Sequence, residues 1–269
     1  MRAAFAGRYG PWAVVAGGSR GLGAAFAREL AARGCRLLLC ARGQGPLAAL
    51  AGQIRAESGV EVRTLVLDLG APGAPEALEQ AAAGLDVGLL LYNAAHPRIG
   101  ALLDQPAEDL ERALAVNCRA PLLLCQGFGR RLAARGRGGI ILMSSLAGLQ
   151  GSPGIVPYAA GKAFAVTLAE GLWWELRRAG VDVLACTAGA IAKPGLAEAA
   201  PGGAPGTLPA AAVAREVLDA LGRGPRVTPG ALNAAMAFVM SRLLPRRTVI
   251  RIMAAQTEGL LPTAAAPPG

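Results

Sequence analysis

The sequence predicts an α/β protein in which helices cover both faces of a doubly wound parallel sheet, followed by a helical C-terminal extension. Short apolar runs of strand length alternate with helix-length segments almost from end to end. Strands this apolar are buried on both faces, which is typical of parallel sheets covered by helices. Right-handed crossover connections then give a doubly wound sheet, whose ligands bind at the carboxyl ends of the strands.

Predicted strands and helices alternate along residues 10–195. The strands are Trp12–Ala16, Arg36–Ala41, Val62–Asp68, Val87–Tyr92, Gly139–Ser144 and Val181–Thr187. The helices between them are Gly21–Arg33, Pro46–Glu57, Pro75–Ala83, Pro106–Arg135 and Ala159–Arg178. This order indicates successive βαβ units in one core, and no internal repeat or long charged linker divides it.

The chain after residue 195 departs from this alternation. The stretch 196–207 is rich in Ala, Gly and Pro and predicts a loop, whereas Pro209–Gly222 predicts a helix. A further helix is predicted over Ala231–Leu244. Its apolar side comprises Leu232, Met236, Val239, Met240 and Leu243, and the arginines beside it are Arg242, Arg246, Arg247 and Arg251. We expect a single domain over residues 1–269, with a frayed tail at 263–269.

The charge of the chain raises the question of a polyanionic partner. Among 269 residues, 27 are Lys or Arg and 18 are Asp or Glu, which gives a formal charge of +9. However, 53% of the residues are apolar and 17% are charged, so the chain is no disordered polycation and can build a large core. The arginines are scattered, without the aromatic interleaving or basic stripe of nucleic-acid binders, and we expect no nucleic-acid partner.

Cysteine usage and hydropathy predict a cytoplasmic protein. The five cysteines form an odd set without a CxxC pair or metal-like spacing, so we expect buried reduced thiols and no metal site. The first ten residues lack the apolar stretch of a signal peptide. No run reaches the roughly 18 uncharged apolar residues of a membrane helix, so we expect a soluble chain.

A glycine-rich turn joins the first predicted strand to the first predicted helix. It reads Ala16-Gly17-Gly18-Ser19-Arg20-Gly21-Leu22-Gly23. Glycines there let the backbone approach a pyrophosphate, while the helix N-terminus supplies N–H donors and partial positive charge. The spacing is GxxxGxG rather than GxGxxG, so either a nucleotide site or a plain tight turn explains this motif taken alone.

The end of the second strand bears on the choice of cofactor. An acidic residue there would bind an adenosine ribose and repel a 2′-phosphate, but the sequence has Cys40-Ala41-Arg42. Arg42 and Arg20 suit a phosphate dianion, because guanidinium groups form paired hydrogen bonds with phosphate oxygens. We therefore expect NADP(H) in preference to NAD(H). The alternative is that Arg42 is a solvated loop charge.

A tyrosine and a lysine at helical spacing form a second motif. In Tyr158-Ala159-Ala160-Gly161-Lys162, the phenol and the ammonium lie one turn apart on one helical face. A phenol with a pKa near 10 is a poor acid–base catalyst at neutral pH. A cation about 4 Å away is worth roughly three pKa units at an effective dielectric constant of about 20. Lys162 is one of only two lysines in the chain, which argues against a chance pair.

In order along the chain, these motifs resemble those of the classical short-chain dehydrogenases/reductases over about residues 10–195. The matching cofactor positions are the turn residues Gly17, Ser19, Arg20, Gly21, Leu22 and Gly23, then Arg42, Asp68, Leu69, Asn93, Ala94 and Ala95. The positions that match the catalytic tetrad are Asn117, Ser145, Tyr158 and Lys162. The resemblance implies a Rossmann-like fold, a nicotinamide cofactor and a homodimer or homotetramer.

The resemblance also implies a role for each tetrad member. Ser145 would hydrogen-bond the substrate oxygen, and Tyr158 would give that oxygen a proton during reduction. Lys162 would lower the tyrosine pKa and, with Tyr158, contact the cofactor, while Asn117 would position water that links Lys162 to solvent. Hydride would pass from nicotinamide C4 to the carbonyl carbon.

Several positions differ from the family pattern. Ala188-Gly189 stands where the family has Pro-Gly after the sixth strand, and Lys193 stands where it has threonine. By that alignment, the backbone of Ile191 would hydrogen-bond the carboxamide. Tyr92 and Ala95 replace Asn and Gly, so we expect the sheet edge beside the cofactor to pack differently.

Candidate substrate contacts follow from position. His96 comes after the altered motif at a strand end, where either substrate contact or a surface loop explains it, and Gln150 is a second candidate. Of Trp173 and Trp174, we expect one to pack inward and the other to meet a partner subunit. A pair buried within the monomer is the alternative.

These observations predict an NADPH-dependent carbonyl reductase, or ketoreductase, acting on a small-molecule ketone or secondary alcohol. We expect a hydrophobic substrate of an acyl, steroid-like or polyketide kind, with residues 196–262 supplying a substrate loop and C-terminal helices. The alternative is a non-catalytic NADP-binding regulatory or scaffold protein of the same fold, against which the intact tetrad argues. For residues 231–251, core or dimer packing is the first interpretation, an apolar lid the second, and peripheral attachment to anionic lipid the third.

Overall fold

The computed structural model describes residues 2–192 and 205–258 and confirms the doubly wound α/β fold. Within these ranges, seven parallel strands form one sheet in the order β3-β2-β1-β4-β5-β6-β7. They are β1 (Trp12–Ala16), β2 (Arg36–Ala41), β3 (Val62–Val66), β4 (Val87–Tyr92), β5 (Gly138–Ser145), β6 (Val181–Ala188) and β7 (Arg226–Val227). The strand order reverses between β1 and β4, and a ligand crevice is expected at such a point.

The helices cover both faces of this sheet and continue into the predicted C-terminal extension. They are α1 (Arg2–Tyr9), α2 (Gly21–Ala32), α3 (Gln44–Ser58), α4 (Ala74–Ala81), α5 (Ala107–Leu114), α6 (Ala120–Arg135), α7 (Val156–Leu176), α8 (Ala210–Ala220), α9 (Ala231–Phe238) and α10 (Arg246–Glu258). A π-helical turn, Ala115–Arg119, connects α5 to α6, and a second, Val239–Leu243, extends α9.

Two apolar layers, one on each face of the sheet, hold these elements together. In β1, Ala13 and Val15 belong to the layer beneath α2, α3 and α8, whereas Val14 and Ala16 belong to the layer beneath α4, α6 and α7. Every residue of β1 is buried. Since successive side chains of a strand point to opposite faces, a strand covered on both sides needs an unbroken apolar run.

Strand β3 differs from the prediction in length and burial. It ends at Val66 rather than Asp68, and only Val62 among its residues is buried. The expectation that all strands are buried on both faces is wrong here, because β3 lies at the edge of the sheet, where it pairs only with β2 among the described residues. Charged side chains on edge strands also limit pairing with other chains, and Arg63 lies on this strand.

The predicted helix Pro106–Arg135 is two helices joined by the π turn Ala115–Arg119, which contains Asn117. A π turn adds one residue to a single turn without ending the helix. The helical spacing of apolar residues in the sequence therefore does not reveal it. The elements α1, α10 and β7 were not predicted. Predictions that fall on the loop 196–204, on Lys193 and on the tail 263–269 lie outside the described residues.

Two predictions about single side chains have definite outcomes. Four of the five cysteines are buried as expected, but Cys118 is half-exposed, because it lies on the outer side of the π turn. Trp173 packs against the core, whereas Trp174 is exposed beneath the guanidinium group of Arg177. No helix in residues 2–192 and 205–258 is long and apolar enough to cross a membrane.

The two-layer core predicts a large difference between Leu90 in β4 and Leu103 in an exposed turn. We expect Leu90→Ala to reduce the free energy of unfolding by about 2–5 kcal/mol, because Leu90 is fully buried and the change leaves a cavity. Leu103→Ala is the matched control; Leu103 is 96% exposed and its loss should change the free energy by less than about 0.5 kcal/mol. Urea denaturation measures both values, and equal midpoints would contradict this core assignment.

Candidate active site

The glycine-rich turn brings the ends of β1, β2 and β4 into direct contact. Gly17 has a φ of +85°, and a Cβ atom there would lie 2.6 Å from the backbone nitrogen of Ala94. A Cβ atom on Gly23 would lie 2.0 Å from the carbonyl oxygen of Gly17. Asn93 Nδ2 donates to that same oxygen at 2.9 Å. The glycines therefore let α2 begin directly against the sheet, with its N-terminus directed at the crevice.

An open cleft of about 780 Å³ lies at the carboxyl ends of β1 to β4. Most of the predicted cofactor residues line it, namely Gly17, Ser19, Arg20, Arg42, Asp68, Leu69, Asn93, Ala94 and Ala95. The predicted residues Gly21, Leu22, Gly23 and Ile191 do not line it. Gly23 is buried behind the turn, and Ile191 pairs with Leu208 beyond the carboxyl end of β6.

The charged groups of the cleft separate into a free pair and a paired set. Arg20 and Arg42 are exposed at its rim. Asp68 accepts hydrogen bonds from the backbone N–H of Gly70 and from Arg112. Burial raises the pKa of Asp68, but the Gly70 N–H, Arg112 and Arg42 together lower it below its ordinary value. Sequence reasoning missed Arg112, because it lies 44 residues from Asp68 in the chain.

Ser145, Tyr158 and Lys162 meet beyond the end of β5. Ser145 ends that strand, and its Oγ accepts a hydrogen bond from the backbone N–H of Ala147 at 3.2 Å. Tyr158 and Lys162 lie one turn apart on α7, with the Lys162 Nζ atom 5.5 Å from the centre of the Tyr158 ring. Lys162 Nζ donates to the carbonyl oxygen of Met143 at 2.7 Å. The structure thus brings together the three residues predicted from the sequence.

The ionisation of Tyr158 differs from the expectation. Burial raises the pKa of Tyr158 above its usual value, although a hydrogen bond with Ser145 opposes this shift. The expected lowering by Lys162 is not found, because the ammonium group is directed at Met143 rather than at the phenol oxygen. Burial also lowers the pKa of Lys162 to about 8, although the neighbouring Cys186 thiol acts in the opposite direction.

Asn117 lies beside Lys162 and is fixed by the backbone of His96. Its Oδ1 accepts from the His96 N–H at 2.9 Å, and its Nδ2 donates to the His96 carbonyl oxygen at 3.2 Å. Tyr92, which stands where the family has asparagine, donates its hydroxyl hydrogen to the Val116 carbonyl oxygen in the same π turn. A small cavity of about 10 Å³ is lined by Asn117, Met143 and Lys162 among others. The π turn therefore holds the fourth predicted residue against the lysine.

The two candidate substrate residues have different surroundings. His96 lines the cofactor cleft, and its Nε2 lies 3.7 Å from Asp109 Oδ1, which also pairs with Arg98. Gln150 is buried, and its Nε2 donates to the carbonyl oxygen of Leu146 at 2.9 Å. The Gln150 amide nitrogen is thus engaged within its own turn, and a substrate contact by this residue stays a prediction.

The C-terminal extension covers one side of the Tyr158 region. Met253 of α10 packs with Ala147 and Ala159, and Met240, Ile155 and Tyr158 contact this group. Two hydrogen bonds attach α10 to the loop before α7: Arg246 Nη1 to the Leu149 oxygen at 2.8 Å and Thr257 Oγ1 to the Pro153 oxygen at 2.7 Å. Sequence reasoning identified Met240 on an apolar side of a helix but did not place it beside Tyr158.

The loop after β6 is anchored by a residue that sequence reasoning missed. Asn233 of α9 is buried, and its Nδ2 donates to the carbonyl oxygens of Gly206 and Pro229. A Cβ atom on Gly189 would lie 2.8 Å from the Asn233 amide. The Ala188-Gly189 turn therefore packs on α9. No group of three or more His, Cys, Asp or Glu side chains within residues 2–192 and 205–258 could hold a metal ion.

The chain is similar to known dehydrogenases and reductases. A 7beta-hydroxysteroid dehydrogenase of Collinsella aerofaciens is 36% identical over 199 residues, which cover 74% of this chain and 76% of that protein. A solved structure from work on 7beta-hydroxysteroid dehydrogenase stereoselectivity matches with a TM-score of 0.87 at 32% identity, covering 93% of this chain and 98% of the other.

A second solved structure is a short-chain dehydrogenase from Sphingobium yanoikuyae in complex with NADPH. It matches with a TM-score of 0.75 at 28% identity and covers 95% of this chain and 98% of its own. The sequence model described as short chain dehydrogenase matches residues 11–201. The chain belongs to the short-chain dehydrogenase/reductase family, whose oxidoreductases interconvert CH–OH and C=O groups.

Proposed function

We propose that this protein is an NADPH-dependent ketoreductase that reduces a bulky apolar ketone to a secondary alcohol. One observation carries the proposal: the phenol of Tyr158 stands beside the buried Lys162 and packs on an apolar wall. Asn117 shares a small cavity with Lys162 and is bonded to the backbone of His96, which lines the arginine-rimmed cleft. Each part supplies one requirement of the reaction, namely a proton donor, a cofactor site and a substrate site.

The cleft suits a dinucleotide in shape and in donors. Its volume of about 780 Å³ is in the range of small-molecule sites. Ser19 and Arg20, which directly precede α2, line it, and the space beside Gly17 and Gly23 admits no side chain. When bound there, the cofactor would supply a hydride to the carbonyl carbon. The relative from Sphingobium yanoikuyae was solved in complex with NADPH.

The preference for NADPH rests on the free arginines. Arg20 and Arg42 are exposed at the cleft rim without an ion-pair partner among the described residues, whereas Arg112 is paired with Asp68. The second strand ends without an acidic residue that would repel a 2′-phosphate. Two free guanidinium groups at this position favour a phosphate dianion by charge-assisted hydrogen bonds.

Proton transfer is assigned to Tyr158 in the direction of reduction. A phenol whose pKa is raised by burial keeps its proton at neutral pH and can donate it to a substrate oxygen that gains negative charge. Ser145 would hydrogen-bond the same oxygen and orient it toward the phenol. The raised pKa keeps the phenol protonated, which is the form that the reduction step requires.

Lys162 and Asn117 would return the proton to Tyr158 after each reaction. With a pKa of about 8, the Lys162 ammonium group holds and releases protons near neutral pH. The cavity of about 10 Å³ between Asn117 and Lys162 is close to the volume that one water molecule requires. Asn117, held rigidly by the His96 backbone, would position that water.

The substrate class follows from the wall beside Tyr158. Met240, Met253 and Ile155 present apolar, adaptable surface next to the phenol. The relatives named above include 7beta-hydroxysteroid dehydrogenases, whose names specify a rigid apolar alcohol. A bulky steroid-like ketone is therefore our leading substrate class.

We also propose a homo-oligomer in the cytoplasm. Leu114, Leu122 and Trp174 are exposed apolar side chains on α5, α6 and α7, and a partner subunit would cover them. The five cysteines are free thiols, which suits a reducing compartment. Light scattering of the purified protein measures the oligomeric state.

The assignment of Tyr158 predicts the result of removing its hydroxyl group. Tyr158→Phe should reduce NADPH-dependent ketone reduction by at least about 100-fold, because the proton donor is lost. The dissociation constant for NADPH should change little. Tyr9→Phe is the matched control and should retain activity, because Tyr9 lies at the amino ends of the strands, away from the cleft. Turnover by the Tyr158 variant at the wild-type rate would disprove the mechanism, and a wild-type protein that binds NADPH but reduces no ketone would favour a scaffold role.

The assignment of Arg42 predicts a loss that is specific to one cofactor. Arg42→Ala should raise the dissociation constant for NADPH by about 10- to 100-fold and leave that for NADH nearly unchanged, because only NADPH carries the 2′-phosphate. Arg137→Ala is the control, because Arg137 directly precedes β5 and so lies at the amino ends of the strands. Fluorescence titration with each dinucleotide measures these constants. Equal weakening for both cofactors would refute the role of Arg42.

The apolar wall predicts that a larger side chain at residue 240 narrows the substrate range. Met240→Trp should lower kcat/KM for a steroid-sized ketone by about 10-fold or more, with a smaller effect on a short aliphatic ketone. Met236→Trp, a residue outside this cluster, is the matched control. Steady-state assays of NADPH absorbance with the two ketones provide the ratio. A ratio equal to that of the wild type would exclude Met240 from the substrate site.

A further inference from the structure

The outer surface of the C-terminal extension carries an unusual density of exposed apolar side chains. Leu232, Phe238 and Leu243 are 53%, 59% and 64% exposed, and Val239 between them is 39% exposed. Leu232, Val239 and Leu243 share one side of α9 and the π turn that extends it, by helical spacing. We call the exposed side of residues 231–257 the C-terminal surface. Large apolar patches of this kind on a protein surface mark sites of interaction.

The same surface is strongly cationic. Arg242, Arg246, Arg247 and Arg251 are all exposed, and the sequence contains no Asp or Glu from residue 231 to residue 257. In the part of the chain that the structure describes, none of these four arginines forms an ion pair. Arg242 lies next to Leu243, and Arg246 and Arg247 follow Leu244 within three residues. Apolar and cationic side chains are therefore both exposed, close together in the sequence, along this segment.

Core or dimer packing is the first interpretation of this segment from its sequence, and the structure changes that order. Only Ala237, Asn233, Val249, Met253 and Thr257 of the segment are buried, so the core does not use its outer side. An interface between two copies would be self-complementary and would bring this patch against itself. Because the patch holds four arginines and no acid, that contact would place like charges together at a cost.

We propose that the C-terminal surface attaches the protein peripherally to an anionic lipid bilayer. The leucine and phenylalanine side chains would enter the boundary between headgroups and acyl chains, and the arginines would contact lipid phosphates. Anionic lipid offers an apolar region for the exposed apolar side chains and negative charge for arginines that form no ion pair within the described residues. The attachment is peripheral, and it uses no membrane-spanning segment.

Attachment through the C-terminal surface would place the bilayer close to the catalytic residues. On the inner side of the same segment, Met240 and Met253 pack beside Tyr158. A bilayer bound to the outer side would therefore be separated from the catalytic residues by the thickness of one helix. An apolar substrate dissolved in the bilayer would then reach the site by a short path. This consequence rests on the proposed function, whereas the attachment itself does not.

Vesicle co-sedimentation of the full chain tests the attachment without a substrate. We expect binding to vesicles that mix phosphatidylcholine with phosphatidylglycerol, little binding to phosphatidylcholine alone, and loss of binding as the salt concentration rises. The triple variant Arg242→Gln, Arg247→Gln, Arg251→Gln should bind the anionic vesicles roughly 100-fold more weakly, since each basic residue near the surface contributes several-fold.

A matched triple variant separates this site from the effect of net charge. Arg137→Gln, Arg178→Gln, Arg223→Gln removes three exposed arginines that precede β5, β6 and β7, at the opposite edge of the sheet. It should retain most of the binding. The double variant Phe238→Ser, Leu243→Ser should lose binding although its charge is unchanged, and circular dichroism with thermal unfolding confirms that each variant folds.

Three results would overturn the proposal. They are failure of the wild type to bind anionic vesicles, equal losses in the two arginine variants, and a change of oligomeric state in the Phe238–Leu243 variant with vesicle binding intact. The last result would identify a second copy of the chain as the occupant. None of these readouts depends on NADPH or on ketone reduction, so a failed activity assay leaves the test unaffected.

Discussion

Helices cover both faces of the parallel sheet, and this burial constrains where polar side chains can meet. All of β1 and nearly all of β2, β4 and β5 are buried between two apolar layers, so functional groups of the strands gather where the strands end. Asn93 follows β4, Ser145 ends β5, and the glycine-rich turn follows β1. The reversal of strand order between β1 and β4 opens the cleft at this edge. The site is thus a consequence of how the core is built.

The electrostatics of this edge depend on burial as much as on neighbouring charges. A neighbouring ammonium alone would lower the phenol pKa, yet Tyr158 has a raised pKa because its surroundings exclude water. Lys162 is buried more completely, and burial lowers its pKa to about 8. The Lys162 ammonium group can therefore release and regain a proton near neutral pH. The Met143 carbonyl oxygen and the π turn that carries Asn117 fix the geometry of this group. Backbone groups, rather than further charged side chains, hold the buried lysine in place.

The C-terminal extension has two different sides, and they perform different tasks. Its inner side places Met253 and Met240 against the catalytic region, and it is tied there by Arg246 and Thr257. Its outer side leaves leucine, valine and phenylalanine side chains in solvent among arginines. The net charge of +9 says little about where the positive charge is concentrated, because the arginines are scattered along the chain and several pair with acids elsewhere. The local charge of this one segment is what distinguishes it.

The sequence by itself determined the central strands, the glycine-rich turn and the Tyr158–Lys162 pair. These features are local: strand burial appears as unbroken apolar runs, and side chains at i and i+4 share a helical face by covalent geometry. Only the tertiary structure decided that β3 is an exposed edge strand, that Asn117 bonds to His96, and that Arg112 pairs with Asp68. It also decided which side of residues 231–257 faces water. Such contacts join residues distant in the chain, and they depend on which elements become neighbours when the sheet assembles.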